Sequence, residues 1–392
     1  MLKLIKKASV YAPEKLGTVD VLIAGQKICQ IGENIRPGTD LNIQEIDGSG
    51  LILTPGFIDS HEHIMGGGGE GGFKTRTPEV TLTQLTLNGV TTVVGCIGTD
   101  GVCRDMKALL AKAKGLEEEG ITTFVYTGSY QIPVKTLSGS LIEDIMLFDK
   151  IIGTGEVAIS DHRSSQPTYE EFAKIAAQSR VGGMLAGKGG IVNVHLGDGN
   201  RCLDLIEKVV EETEIPITQF LPTHVNRNAV LFEKCIAFAQ RGGYVDFTGN
   251  MDIDYWESIS DEVRVSKGIK RLLKAGVCSD NFTISSDGQG SLPVFNEKGE
   301  FVGLGMGTSE CLLKEVRECV ELEHIPLEIA LKAITENPAN VLKLNNKGRI
   351  AVGYDADLCL LSEDLRSVHT VFAKGEIMVC NGQAVKKNLF TV

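Results

Sequence analysis

Seven histidines occur in the 392 residues, and four of them lie where apolar runs stop. His61 and His63 close the segment Pro55-Gly-Phe-Ile-Asp-Ser-His-Glu-His63, His195 closes a run from Ile191, and His224 closes a run from Ile217. A further run, from Phe282, ends in the carboxylate of Asp287. Imidazole and carboxylate suit zinc, and a catalytic zinc keeps one coordination position open for water. A divalent cation lowers the pKa of bound water by many units and so makes a nucleophile near neutral pH. Residues two apart on an extended strand project to the same side, so His61 and His63 can face one cation. A lone histidine is usually a hydrogen-bonded structural residue; the joint placement of this set argues for a metal.

These residues need a scaffold that gathers distant strand ends. Eight apolar runs fit: Ile52–His61, Gly89–Gly95, Ile121–Gly128, Val157–Asp161, Ile191–His195, Ile217–His224, Tyr244–Thr248 and Phe282–Asp287. Amphipathic stretches separate most of them, namely Asp105–Glu119, Tyr169–Ala186, Leu203–Glu212, Ala229–Arg241 and Asp261–Lys274. Strands alternating with helices predict parallel βα units, and eight of them predict an α/β fold closed as a (β/α)8 TIM-type barrel, whose active site lies at the C-terminal strand ends. No Gly-x-Gly-x-x-Gly follows a strand and opens a helix, which argues against dinucleotide binding. Both ends of the chain are β-rich, with Val21–Ala24 and Ile28–Ile31 at the start and Leu358–Leu361, Val371–Ala373 and Ile377–Cys380 at the end. The expected organisation is a small β-sandwich-like domain from residues 1–52 and 347–392, bracketing a barrel of residues 53–346.

A formal net charge of −12 disfavours nucleic acid and acidic membranes as partners. An anionic ligand must then be held by local arginines. Ten cysteines are scattered without a CxxC pair, most in apolar runs, as in a reducing compartment. The start, Met-Leu-Lys-Leu-Ile-Lys-Lys, is too short and too charged for a signal peptide, and no stretch approaches a membrane span, so the cytoplasm is expected.

The segment Pro55 to His63 resembles the first-strand motif of the amidohydrolase superfamily, and the later histidines and Asp287 follow in that superfamily's order. A closer resemblance is to isoaspartyl dipeptidases, carried through nearly the whole chain by Gly-Gly-Gly-Gly-Glu70, Thr-Gly-Ser-Tyr130, Ile-Ser-Asp-His-Arg163, Thr-His224-Val-Asn-Arg227 and Ser-Ser-Asp287-Gly-Gln-Gly-Ser291. The resemblance implies two Zn2+ ions per chain, His61 and His63 holding one with Asp287, and His195 and His224 holding the other. It implies a hydroxide between them as nucleophile, with Asp287 taking its proton and passing it to the leaving amine. Where many relatives carry a carboxylated lysine on the fourth strand, this chain has Glu156, expected to bridge both metals without modification and without need of bicarbonate. Lys150 and Lys188 are the alternatives for that role.

A β-aspartyl dipeptide presents one ammonium and two carboxylates around its amide. The resemblance places Glu70 on the ammonium and Arg163, Arg227 and Ser291 on the carboxylates, where guanidinium pairs give energy and orientation. It makes Tyr130 the donor to the developing oxyanion and gives Thr99 a supporting contact. His162, His324 and His369 receive no role, and Gly66–Gly69 is expected to be a mobile lid. Homo-oligomeric assembly is likewise implied. Two other readings stand beside this metallo-dipeptidase. A dihydropyrimidinase or hydantoinase-like cyclic amidase would not require Glu70, Arg163 and Arg227, and a catalytically inactive scaffold would be expected to lose metal donors.

Overall fold

The eight expected runs form eight parallel strands, each hydrogen-bonded to its neighbour in sequence, in a computed structural model that describes residues 2–36, 38, 41–296 and 301–389. They are Phe57–Glu62, Val90–Gly95, Thr122–Thr127, Ile151–Ile159, Ile191–Leu196, Phe220–Thr223, Val245–Thr248 and Phe282–Ser285. Strand one meets strand eight through a Glu62–Gly288 bridge, a His63 N–H to Gly288 carbonyl bond of 2.9 Å, and the Asp59 carboxylate, which accepts the Ser286 N–H at 3.2 Å. The barrel is thereby nearly closed. Most of its strands are buried on both faces, as required when helices cover the outside and side chains fill the inside.

The intervening helices start where the sequence supplies caps. Asp105 accepts the Ala108 N–H ahead of Met106–Glu119, Asn228 accepts the Leu231 N–H ahead of Ala229–Gln240, and Thr168 with Glu171 forms a capping box ahead of Tyr169–Ala186.

Four expectations need correction. Strand four begins at Ile151, six residues earlier than its apolar run suggested, because Gly153 and Gly155 interrupt the hydrophobic pattern without interrupting the strand. Gly155 lies against strand five so closely that a Cβ there would fall 2.9 Å from that of Asn193. The expected first strand is divided: Leu51–Pro55 pairs with the terminal strands and only Phe57–Glu62 enters the barrel. Gly56 makes the joint, where a Cβ would stand 2.3 Å from Thr91 Oγ1. The run from Ile217 opens with a 3-10 turn, Ile217–Gln219, and the helix expected from Asp261 starts at Val265, after a separate helix, Ile253–Ser260.

The terminal segments build one nine-stranded sheet. Leu2–Tyr11 pairs antiparallel with Lys15–Ala24, and its other edge is shared by Ile43–Asp47 and Leu51–Pro55. Leu51–Pro55 in turn receives Leu358–Ser362, which leads to Val368–Ala373 and Glu376–Cys380. The sheet wraps its own core of Ile5, Val10, Val21, Ile23, Leu53, Leu358, Leu360 and Phe372. No helix of the described residues is long and apolar enough to cross a membrane. All ten cysteines are unpaired.

Candidate metal centre and substrate pocket

Glu156 reaches the barrel axis from strand four, and four imidazoles surround its carboxylate. His61 Nε2 and His195 Nδ1 each stand 3.3 Å from Oε2, His63 Nε2 stands 3.5 Å from Oε1, and His224 Nε2 stands 3.7 Å from Oε2. Asp287 Oδ1 completes the ring at 3.0 Å from His63 Nε2 and 3.7 Å from His61 Nε2. The six residues that the sequence nominated as metal donors therefore converge. Neither alternative lysine does. Lys150 Nζ binds the Thr123 carbonyl and Glu117, and Lys188 Nζ binds the carbonyls of Ile145, Phe148 and Ile151, at the opening of strand four rather than its end.

The donors lack what a buried polar atom normally has. His61 Nε2, both Glu156 oxygens and Asp287 Oδ1 are buried with no hydrogen-bond partner among the described residues. Such atoms cost roughly 1–3 kcal/mol each unless something satisfies them. Three donor sets, namely His61 with His63, Cys96 and Glu156, His61 with His224 and Asp287, and Glu156 with His195 and His224, each fall within 4.8 Å. Burial alone would push the Glu156 carboxyl up, yet the surrounding imidazoles, His61 foremost, hold it well below its usual range. Burial likewise opposes charge on His61, but Cys96 and Glu156 draw it strongly toward protonation. The cluster thus calls for positive charge, which fits divalent cations.

Outer hydrogen bonds orient the imidazoles. His61 Nδ1 meets Asn193 Oδ1 at 3.1 Å, His224 Nδ1 meets Thr248 Oγ1 at 2.6 Å, and Cys96 Sγ lies 3.6 Å from His63 Nδ1. Asp161 Oδ2 is shared between His195 Nε2 at 3.0 Å and Arg163 Nη2 at 2.7 Å. Those two partners outweigh burial and hold the Asp161 carboxyl far below the usual carboxylate range. His224 and Asp287 both adopt left-handed backbone, at φ of 62° and 48°, just past their strand ends. Strain of that kind costs on the order of 1–3 kcal/mol and is typical of functional sites.

A cavity of about 480 Å³ opens over the donors and is lined by Glu70, Thr99, Tyr130, Arg163, Arg227 and Ser291, all nominated from sequence. Thr99 Oγ1 donates to Glu70 Oε1 at 2.7 Å, and Arg163 Nη1 reaches the same oxygen at 3.3 Å. The Arg163 guanidinium also lies 5.4 Å from the centre of the Tyr130 ring. Tyr130 OH stands 2.8 Å from His195 Nδ1, and burial with the Glu156 carboxylate keeps its hydroxyl protonated well above the usual range. His162 and His324 are exposed, and His369 contacts Thr370 away from the cavity.

Gly66–Gly69, the expected lid, is tied to its surroundings by hydrogen bonds. Gly67 N–H donates to Thr77 Oγ1 at 2.6 Å, and the buried Arg104 binds the carbonyls of Met65, Gly68 and Thr77 at 3.2–3.3 Å. This stretch is a pinned floor beneath Glu70. Sequence reasoning also passed over Asp161, Asn193, Thr248 and Trp256. Asn193 was detectable, since it precedes His195 by two residues and shares its side of the strand.

The chain matches the model of the Amidohydrolase family over residues 52–378 and belongs to that family. Its fold and full length are shared with a beta-aspartyl dipeptidase from Fervidobacterium islandicum AW-1, solved with a beta-Asp-Leu dipeptide, at 46% identity and TM-score 0.90 over 100% of both chains. A deacetylase of Brucella anthropi is 24% identical over 88% of this chain and 79% of its own. A dihydropyrimidinase from Brevibacillus agri NCHU1002 is 18% identical with TM-score 0.68, over 99% of this chain and 97% of its own, a likeness of fold alone.

Proposed function

We propose that this amidohydrolase is a zinc-dependent β-aspartyl dipeptidase that cleaves isoaspartyl dipeptides left by peptide breakdown. The observation that carries the reading is one cavity lined both by His63, His195, His224 and Asp287 of the donor cluster and by the charged set Glu70, Arg163 and Arg227. Likeness along the full length to a protein solved with beta-Asp-Leu supports it. In this reading His61, His63 and Asp287 would hold one zinc and His195 and His224 another, with Glu156 available to either. When bound, the pair of cations would supply an ionised water as nucleophile and Lewis acidity at the scissile carbonyl.

The protein's own residues do the rest. Glu70 takes the substrate ammonium, and Arg163, Arg227 and Ser291 take the two carboxylates, so the amide is held at one end from each side. Thr99 steadies Glu70 through their hydrogen bond. Tyr130, which keeps its proton, donates to the carbonyl oxygen as negative charge develops there. Asp287 is held ionised despite burial by the nearby imidazoles of His63, His224 and His61, so it can receive a proton and return it to the departing amine. A cytoplasmic homo-oligomer is part of the same reading.

Assay of chelator-stripped protein resupplied with zinc against β-Asp-Leu, α-Asp-Leu and dihydrouracil tests it. The expected result is zinc-dependent cleavage of β-Asp-Leu alone. Cleavage of dihydrouracil with none of β-Asp-Leu would establish the cyclic-amidase reading instead, and no hydrolysis with no bound zinc would establish a scaffold.

A further inference from the structure

A second cavity of about 370 Å³ adjoins the first, and Asn250, Trp256 and Leu292 line both. Its remaining wall is mainly apolar, with Met251, Val294, Met306 and Cys311 among its residues. Leu292 and Val294 lie two apart on the strand Ser291–Phe295, so they present to one side. Opposite them in register stand Gly305 and Gly303, which leave that side uncrowded. Asp252 also lines this space. A mainly apolar chamber of this kind is suited to a bulky apolar group.

Arg227 and Ser291, which take carboxylates in the dipeptidase reading, line the first cavity together with the shared residues Asn250, Trp256 and Leu292. Resting on that reading, we infer that the second cavity is the side-chain subsite for the residue following the isoaspartyl linkage, and that it selects large, largely apolar side chains such as tyrosine over small ones. Leu292 lines both cavities, so a ligand held by a carboxylate in the first has its neighbouring side chain beside the second. Trp256 stands at the junction and is the chain's single tryptophan.

The test compares kcat/KM of the zinc-loaded enzyme for β-Asp-Gly and β-Asp-Tyr, in wild type and in Val294→Phe and Met251→Phe. Both positions are partly exposed, so the larger side chain can intrude without disrupting the core. Wild type should prefer β-Asp-Tyr by tenfold or more, since filling an apolar pocket is worth about that much per added group. Each variant should shrink the ratio several-fold. In metal-stripped protein, where no turnover occurs, β-Asp-Tyr should shift Trp256 emission at concentrations where β-Asp-Gly does not. Equal kcat/KM for the two peptides, with ratios unmoved in the variants, overturns the subsite while leaving the dipeptidase reading intact. Failure to cleave either peptide overturns the dipeptidase reading itself.

Discussion

Arg163 and Glu70 face each other across the cavity, Nη1 to Oε1 at 3.3 Å, while Nη2 of the same guanidinium holds Asp161. The two are opposite halves of a zwitterion, and a β-aspartyl ligand offers the matching halves. Ammonium on Glu70 and carboxylate on Arg163 would exchange one partly exposed pair for two enclosed ones.

Glu70→Gln should therefore raise KM for β-Asp-Leu on the order of 10- to 100-fold, the worth of one hydrogen bond to a charged group. Bound metal should be unchanged. N-acetyl-β-Asp-Leu, which lacks the ammonium, should lose a similar factor against wild type and little more against the variant. Steady-state kinetics on the four combinations checks this, and equal losses from both changes in sum would separate Glu70 from the ammonium.

Among the described residues, the Glu156 carboxylate stands within 4 Å of all four clustered imidazoles. Glu156→Gln should retain less than the two or so zinc ions of a binuclear site, measured by elemental analysis after gel filtration. Added bicarbonate should leave wild-type activity unaltered, since Glu156 stands among the imidazoles and Lys150 and Lys188 do not.

Asn193 and Thr248 contact the nitrogens of His61 and His224 turned away from the donor cluster, and Asn193 Nδ2 also donates to the Leu221 carbonyl at 3.4 Å. Asn193→Ala and Thr248→Val should each weaken zinc affinity roughly 10- to 100-fold, as loss of such outer partners commonly does. Competition against a chromophoric chelator measures it directly, without reference to turnover.

Glu315, buried on the helix Glu310–Glu321, accepts the Asn250 N–H at 3.1 Å. Burial raises its carboxyl from 4.5 to about 7. Between those values the native state holds more protons than the unfolded chain, so stability falls as pH rises and levels off above about 7. Glu315→Gln removes this dependence. Its melting temperature relative to wild type should climb between about pH 5 and pH 8, by an equivalent of at most on the order of 3 kcal/mol. A constant difference across that range would place the proton elsewhere.

The barrel and much of its candidate donor set were legible because both leave period and position in the sequence: apolar runs of strand length, several of which end in His or Asp. Strand four was legible only in its second half, because Gly153 and Gly155 carry no hydrophobic signal although close packing on strand five requires small residues there. The glycine run 66–69 read as a lid because composition cannot reveal a distant anchor such as Arg104. Asp161 was visible as a strand-end carboxylate, but its bond to His195 depends on how two strands sit side by side.

The joint at Gly56 ties the timing of synthesis to the site. Leu51–Pro55 leads directly into the strand bearing His61, yet one of its edges stays unpaired until residues 358–362 have been made. While the chain is still on the ribosome, the first metal-binding strand has its barrel neighbour but lacks the clamp behind it. The support behind His61 and His63 is thus completed only after all eight barrel strands have been made.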